Sequence, residues 1–97
     1  MEKYLRSVFE EVLNTFDFEK SEMIMNFLGW KWYGNDYTPS VNEIRKCVKE
    51  LFEQCLNSFI ENDVLDAVSW SSGGYEVRIS SRLDVSIKFI AVQSFSY

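Results

Sequence analysis

The chain has 97 residues, of which 46% are hydrophobic and 16% aromatic, and its formal net charge is −5 with no histidine. This composition predicts one folded domain over residues 1–97 and argues against intrinsic disorder. The acidic balance argues against generic binding to double-stranded DNA, which requires clustered Lys and Arg. No apolar segment is long enough for a membrane span and no leader-like run follows Met1. We therefore expect no membrane insertion and a cytoplasmic location.

Two helices are predicted in the N-terminal part of the chain. Residues 2–16 carry apolar side chains at helical spacing, with acidic residues between them, as in an amphipathic helix. Residues 18–28 show a shorter apolar pattern, which we interpret as a second, short helix that ends before Gly29.

The clearest pattern lies between Thr38 and Ile60 and predicts a long helix over residues 39–61. Thr38 followed by Pro39 is a favourable helix start, and Ser40 with Glu43 offers a capping box that would begin the helix two residues later. The stripe consists of Val41, Ile44, Cys47, Val48, Leu51, Phe52, Cys55, Leu56, Phe59 and Ile60.

Both cysteines, Cys47 and Cys55, fall on this stripe. Eight residues of helix separate them by roughly 12 Å, whereas a disulfide needs Cα atoms closer than about 7 Å. We therefore predict two buried, reduced thiols, as expected in a reducing cytoplasm.

The C-terminal part alternates apolar and polar residues and predicts strands over 65–70, 75–80 and 84–94. The first hairpin is predicted to place Trp70 opposite Tyr75 and Val68 opposite Val77, with residues 71–74 as its loop. Beyond Phe89 the last strand is apolar on both faces, which indicates a bulge or a second cover.

The second hairpin turns through residues 81–84. Its predicted register pairs Val77 with Ile87, Ile79 with Val85 and Glu76 with Lys88. The opposite charges of the last pair support this register independently of the apolar pattern. The sequence therefore predicts an α+β two-layer domain, with two or three helices packed on one face of a three-stranded antiparallel β-meander.

No constellation of catalytic residues is evident. Without histidine the usual base beside a nucleophilic Ser or Cys is missing, and the carboxylates show no calcium-loop spacing. Gly73 and Gly74 lack the lysine of a phosphate loop and suit a hairpin turn. We therefore expect a protein that is not an enzyme, with no catalytic residue, no cofactor and no metal site.

An aromatic cluster is the candidate interaction surface predicted by the sequence, because flat amphipathic side chains anchor protein interfaces and stack on bases. The alternative is that the cluster closes one end of the core, which we favour by roughly two to one because aromatic residues are so often buried. Its members are Trp30, Trp32, Tyr33 and Tyr37.

Several short motifs resemble those of a group of small, uncharacterised bacteriophage proteins. They are Trp30-x-Trp32, the Thr38-Pro39 helix start, and the hairpin Ser72-Gly73-Gly74-Tyr75, and the resemblance covers about residues 25–91. The group brings no established activity, cofactor or site residue. The resemblance implies a phage origin and action in the host bacterial cytoplasm.

The functional hypothesis is a non-enzymatic phage accessory protein that binds a host or phage protein; homo-oligomerisation stays open. One alternative is an acidic nucleic-acid mimic that inhibits a host nucleic-acid-binding enzyme, but ten basic residues offset the fifteen acids. A second is a single-stranded nucleic-acid binder that uses the sheet face or the Trp cluster, near which Lys31 is the one basic residue.

Overall fold

The computed structural model describes residues 1–27, 40–62 and 65–90, with backbone alone for residues 22 and 24–27. Helices precede strands along the chain, as expected for an α+β rather than an α/β protein. The elements are α1 (Glu2–Thr15), α2 (Phe18–Phe27), α3 (Val41–Glu61), β1 (Ala67–Ser72), β2 (Tyr75–Ser80) and β3 (Val85–Phe89).

The three strands form an antiparallel sheet in the order β1-β2-β3, and the helices form the second layer. Helix α3 packs across β1 and β2, α1 packs across β3, and α2 packs against α3. This arrangement confirms the predicted α+β fold with helices on one face of a three-stranded meander.

The core lies between the layers, where the apolar faces of α1 and α3 meet the inward side chains of the sheet. Phe9 of α1 stacks on Phe52 of α3, with ring centroids 4.0 Å apart and planes 7° from parallel. The fully buried side chains include Leu5, Leu13, Ile44, Val48, Phe52, Cys55, Leu56, Tyr75, Val77 and Ile79.

Helix α3 begins at the second of the two predicted starts. Ser40 is the N-cap, and its hydroxyl accepts a hydrogen bond from the Glu43 backbone N–H at 3.3 Å. This bond satisfies one of the unpaired donors of the first turn. Thr38 and Pro39 lie outside the described residues.

The prediction that the whole stripe of α3 is buried is wrong at its margins. Cys47 is half-buried and Ile60 is 42% exposed, whereas Cys55 is buried. At 3.6 residues per turn, Cys47 and Ile60 fall on opposite edges of the stripe, so the sheet below does not reach them.

The predicted register of the first hairpin is also wrong, by two residues. Ser72 pairs with Tyr75 and Trp70 with Val77, so the loop is Gly73 and Gly74 alone. Both glycines have positive φ, 60° and 90°, which is the backbone of a two-residue turn that matches strand twist. A shift of two keeps every side chain on its predicted face, which is why alternation alone missed it.

The second hairpin has the predicted register. Ile79 pairs with Val85, Val77 with Ile87 and Glu76 with Lys88. Strand β3 ends at Phe89, and residues 91–94 of the predicted longer strand lie outside the described residues.

Aromatic packing and a buried hydrogen bond join α2 to the sheet. The hydroxyls of Ser21 and Tyr75 are hydrogen-bonded to each other, and the Ser21 hydroxyl also donates to the Phe18 carbonyl at 2.9 Å. Phe18 lies 6.0 Å from the Tyr75 ring, centroid to centroid, and the Arg45 guanidinium lies 5.3 Å over the Phe18 ring.

Within the described ranges, no helix has the length and apolar character needed to cross a membrane.

Candidate functional site

The four aromatic residues predicted as an interaction surface lie outside the described residues. They are Trp30, Trp32, Tyr33 and Tyr37. Their role as core or as surface therefore stays a prediction.

The described residues form a different candidate site, a groove at the end of the helical layer where α3 stops. It has a volume of about 530 Å³ and brings together residues from α3, the segment before β1, and the β2–β3 loop. We call it the Leu65 groove; its lining consists of Met1, Phe59, Ile60, Asn62, Leu65, Ser81 and Leu83.

Large apolar side chains of the Leu65 groove are open to solvent. Leu65 is 95% exposed, Met1 62% and Ile60 42%. Helix α3 ends at Glu61 with Asn62 as its C-cap, and the Asn62 side-chain amide donates to the Ser58 carbonyl at 2.8 Å. The sequence pattern does not indicate this groove, because it places Leu65 in a strand and Ile60 on the buried stripe.

Leu83 lines the groove from an unusual backbone conformation. Its φ is 66°, in a three-residue hairpin loop where glycine is the usual residue. The left-handed conformation costs a residue with a Cβ about 1–2 kcal/mol. The Ser80 hydroxyl holds the loop by accepting from the backbone N–H groups of Arg82 at 3.2 Å and Asp84 at 3.3 Å.

The backbone strain at Leu83 supports a functional role for the groove. Costly backbone conformations persist where surrounding contacts enforce them, and they are concentrated at binding and active sites. Leu83 is also partly buried against the core, so its side chain joins the core to the groove. A large apolar residue at a glycine position was the signal in the sequence that could have pointed here.

The chain around the groove is mainly acidic. Glu61, Asp66 and Asp84 each adjoin a groove residue in sequence, against one basic neighbour, Arg82. Asp66 lies 3.9 Å from Arg78 through an exposed ion pair, which offsets little of its charge in water. The groove therefore has a mixed apolar and polar lining, and its neighbours in the sequence are mainly acidic.

The two thiols are poor nucleophiles at neutral pH. Burial raises the pKa of the Cys55 thiol to about 11, and the thiol donates to the Val68 carbonyl at 3.3 Å. Burial, together with the nearby Glu50 carboxylate, also raises the pKa of Cys47. Because the thiolate is the reactive form, neither side chain is activated for catalysis.

Metal ligation finds no support among residues 1–27, 40–62 and 65–90, where no group of three His, Cys, Asp or Glu side chains converges.

The outer face of the sheet is the face that points away from the helices. Its side chains in the three described strands are small or charged and include no aromatic ring: Ala67, Ser69, Ser71, Glu76, Arg78, Ser80, Ser86 and Lys88.

Comparisons with known proteins assign neither a family nor an activity. No protein-family model matches this chain, and neither a curated protein nor a solved structure shows significant similarity to it.

Proposed function

We propose that this chain is a small, non-enzymatic bacteriophage accessory protein that binds a host or phage protein in the bacterial cytoplasm, and that the Leu65 groove is its docking surface. The observation that carries the proposal is the nearly complete exposure of Leu65 beside the exposed Ile60. Large apolar side chains that are open to solvent along one groove are the kind of surface that a protein partner covers. The phage origin rests on the motif resemblance.

The backbone at Leu83 supports the same site. A leucine in the left-handed region costs folding free energy that glycine at this position would spare. Exposed apolar side chains and a strained backbone position thus occur together in one groove. The exposed Leu65 and Ile60 side chains add little to the core, whereas Leu83 packs partly against the core and also lines the groove. A docking function accounts for this combination.

The surrounding charge indicates the chemistry of the partner. Carboxylates at Glu61, Asp66 and Asp84 favour a protein segment that inserts an apolar side chain and carries Lys or Arg beside it. Such rim charges act mainly on the association rate, and salt weakens them. Raised salt should therefore slow association and leave the apolar contact intact.

The two nucleic-acid hypotheses have less support. Single-strand binding needs aromatic rings beside basic residues, and the outer face of the described sheet carries Arg78 and Lys88 without such rings. Nucleic-acid mimicry needs regularly spaced, free carboxylates, whereas Glu53 is paired with Arg6 through two hydrogen bonds.

The test uses a photo-activated cross-linker in place of Ser81, which lines the groove, in the expressing or infected bacterium. We expect one cross-linked protein of a different sequence, and its yield should fall at least tenfold in an Ile60→Ser, Leu65→Ser double variant. Met23→Ser is the matched control, because Met23 is also exposed and lies on α2 outside the groove.

All three proteins should melt alike, since substitutions at exposed positions change stability little. Undiminished cross-linking in the double variant would remove the groove as the docking surface. Absence of any cross-linked protein, or cross-linking to a second copy alone, would contradict the proposed heterologous partner.

A further inference from the structure

Strand β1 lies at the edge of the sheet. It pairs along its whole length with β2, and in the described part of the chain no strand pairs with its other side. An edge strand presents a row of backbone N–H and C=O groups that another strand can complete.

The alternation of hydrogen-bonded residues along β1 shows which backbone N–H and C=O groups point away from β2. The Ser81 N–H donates to the Asp66 carbonyl at 2.6 Å, so these two residues form a hydrogen-bonded pair in the extension of the β1–β2 ladder. Because such pairs alternate along antiparallel strands, Val68, Trp70 and Ser72 also face β2. The N–H and C=O groups of the alternate residues, Ala67, Ser69 and Ser71, therefore point away from the sheet.

Strand β1 itself carries none of the charged residues, prolines or bulges by which natural sheets protect an edge. The opposite edge strand, β3, is shorter and carries Lys88. Trp70 is 41% exposed on the helix-facing side of β1, which adds apolar surface beside the open backbone groups.

We propose that β1 pairs antiparallel with β1 of a second copy of this chain, about a two-fold axis at Ser69, to join two sheets into one of six strands. Ser69 then lies opposite Ser69 of the second copy, and Ala67 lies opposite Ser71. All three outward residues take part, whereas axes at Val68 or Trp70 would engage two. Each hydrogen-bonded pair exchanges two N–H···O bonds.

The side chains suit this register on both faces. On the helix side Trp70 lies opposite Val68 of the second copy, an aromatic and β-branched pair of the kind that stabilises sheets. On the outer side small Ala and Ser side chains meet, and no like charges face each other. The net charge of −5 opposes association weakly, since exposed charges are screened beyond about 8 Å at physiological salt.

The first test is the molar mass in solution as a function of concentration, measured by sedimentation equilibrium. We expect a dimer for the natural chain and a monomer for Ser69→Lys, which would place two lysines opposite each other. Ser86→Lys is the matched control, because it makes the same change on the exposed outer side of β3 and should leave the dimer intact.

Ser69→Pro provides an independent variant that leaves the folded monomer intact. The Ser69 N–H points outward, so proline removes a donor to the second copy and none to β2. A monomeric Ser69→Pro protein with an unchanged far-ultraviolet spectrum is expected.

The register itself is tested by a Ser69→Cys variant in a Cys47→Ala background. Opposed residues of a hydrogen-bonded pair have Cα atoms about 5.5 Å apart, within the range of a disulfide. Mild oxidation should link Ser69→Cys chains into a covalent dimer and leave Ser86→Cys chains unlinked.

A natural chain that stays monomeric at the highest concentrations would overturn the proposal, as would a Ser69→Lys protein as dimeric as Ser86→Lys. If β1 instead paired with an extended segment of another protein, the natural chain would be a monomer and the Ser69→Pro variant would lose that protein. This result would exclude pairing with a second copy. These outcomes do not depend on the Leu65 groove, so the groove can fail while the dimer stands.

Discussion

At the scale of single residues, position relative to the core decides chemistry that the amino-acid type leaves open. Cys55 lies under the sheet with a raised pKa, whereas Cys47 lies at the margin of the same helical stripe and is half-buried. Leu83 and Leu51 differ in the same way, one at the edge of a groove and the other in the core. In each pair the amino-acid type sets the apolar character of the side chain, and its surroundings decide whether it belongs to the core or to the surface.

The first prediction concerns the pH dependence of stability through Cys55. Its folded pKa of about 11 lies above the 9.0 of an exposed thiol, so the folded state holds the proton more tightly than the unfolded state. The associated stability is fully present below pH 9 and is lost as the pH rises towards 11. The free energy of unfolding, measured by urea denaturation, should fall across this window more steeply in the natural chain than in Cys55→Ala.

The Cys55→Ala variant is the control, because every other ionisable group is common to both proteins. Equal slopes in the two proteins would contradict the buried, hydrogen-bonded state of the thiol. Thiol labelling at neutral pH gives a second readout: Cys47 should react before Cys55, since one thiol is half-buried and the other fully buried.

At the scale of elements, amphipathic faces decide which helix covers which strand. Helix α3 packs over β1 and β2 and α1 over β3, so α3 carries the larger share of the core. Its start is fixed locally by Ser40, and its end by Asn62. The hairpins that follow depend on backbone conformation at one or two positions, Gly73 and Gly74 in the first and Leu83 in the second.

The second prediction tests the buried face of α3. Leu51→Ala should lower the free energy of unfolding by about 2 to 5 kcal/mol, because it removes buried methyl groups and leaves a cavity in the core. This is a large fraction of the stability of a small domain. Chemical denaturation monitored by circular dichroism measures the change.

Ile60→Ala is the matched control on the same helix, since Ile60 is exposed and its truncation removes few core contacts. We expect its effect to stay within about 0.5 kcal/mol, as for surface substitutions generally. Similar losses of unfolding free energy in the two variants would contradict the assignment of Leu51 to the buried face of α3 and of Ile60 to its exposed margin.

At the scale of the whole molecule, the charge is negative and basic residues alternate with acidic ones along the sequence. Arg6 is engaged by Glu2 and Glu53, and Arg78 lies near Asp66. The carboxylates beside these arginines would repel a phosphate backbone that approached them. The outer face of the described strands adds no stacking ring to compensate.

The third prediction follows from this charge distribution. Labelled duplex and single-stranded oligonucleotides, titrated at about 0.15 M salt, should give no saturable signal, because too few free Lys and Arg side chains are available to release counterions. Fluorescence anisotropy is a suitable measurement. Saturable micromolar binding that Lys88→Glu abolishes would instead favour the outer sheet face as a nucleic-acid site.

The sequence by itself determined the α+β class, the buried stripe of α3 and the register of the second hairpin, because periodicity and charge pairing are local properties of the chain. Alternation did not decide the first hairpin, because its two candidate registers place the same side chains on the same faces, and the backbone of Gly73 and Gly74 selects between them. Only the tertiary structure decided the Leu65 groove and the open edge of β1. Ile60, Leu65 and Leu83 come from three separate segments that the fold brings together in one groove. No local pattern encodes that proximity.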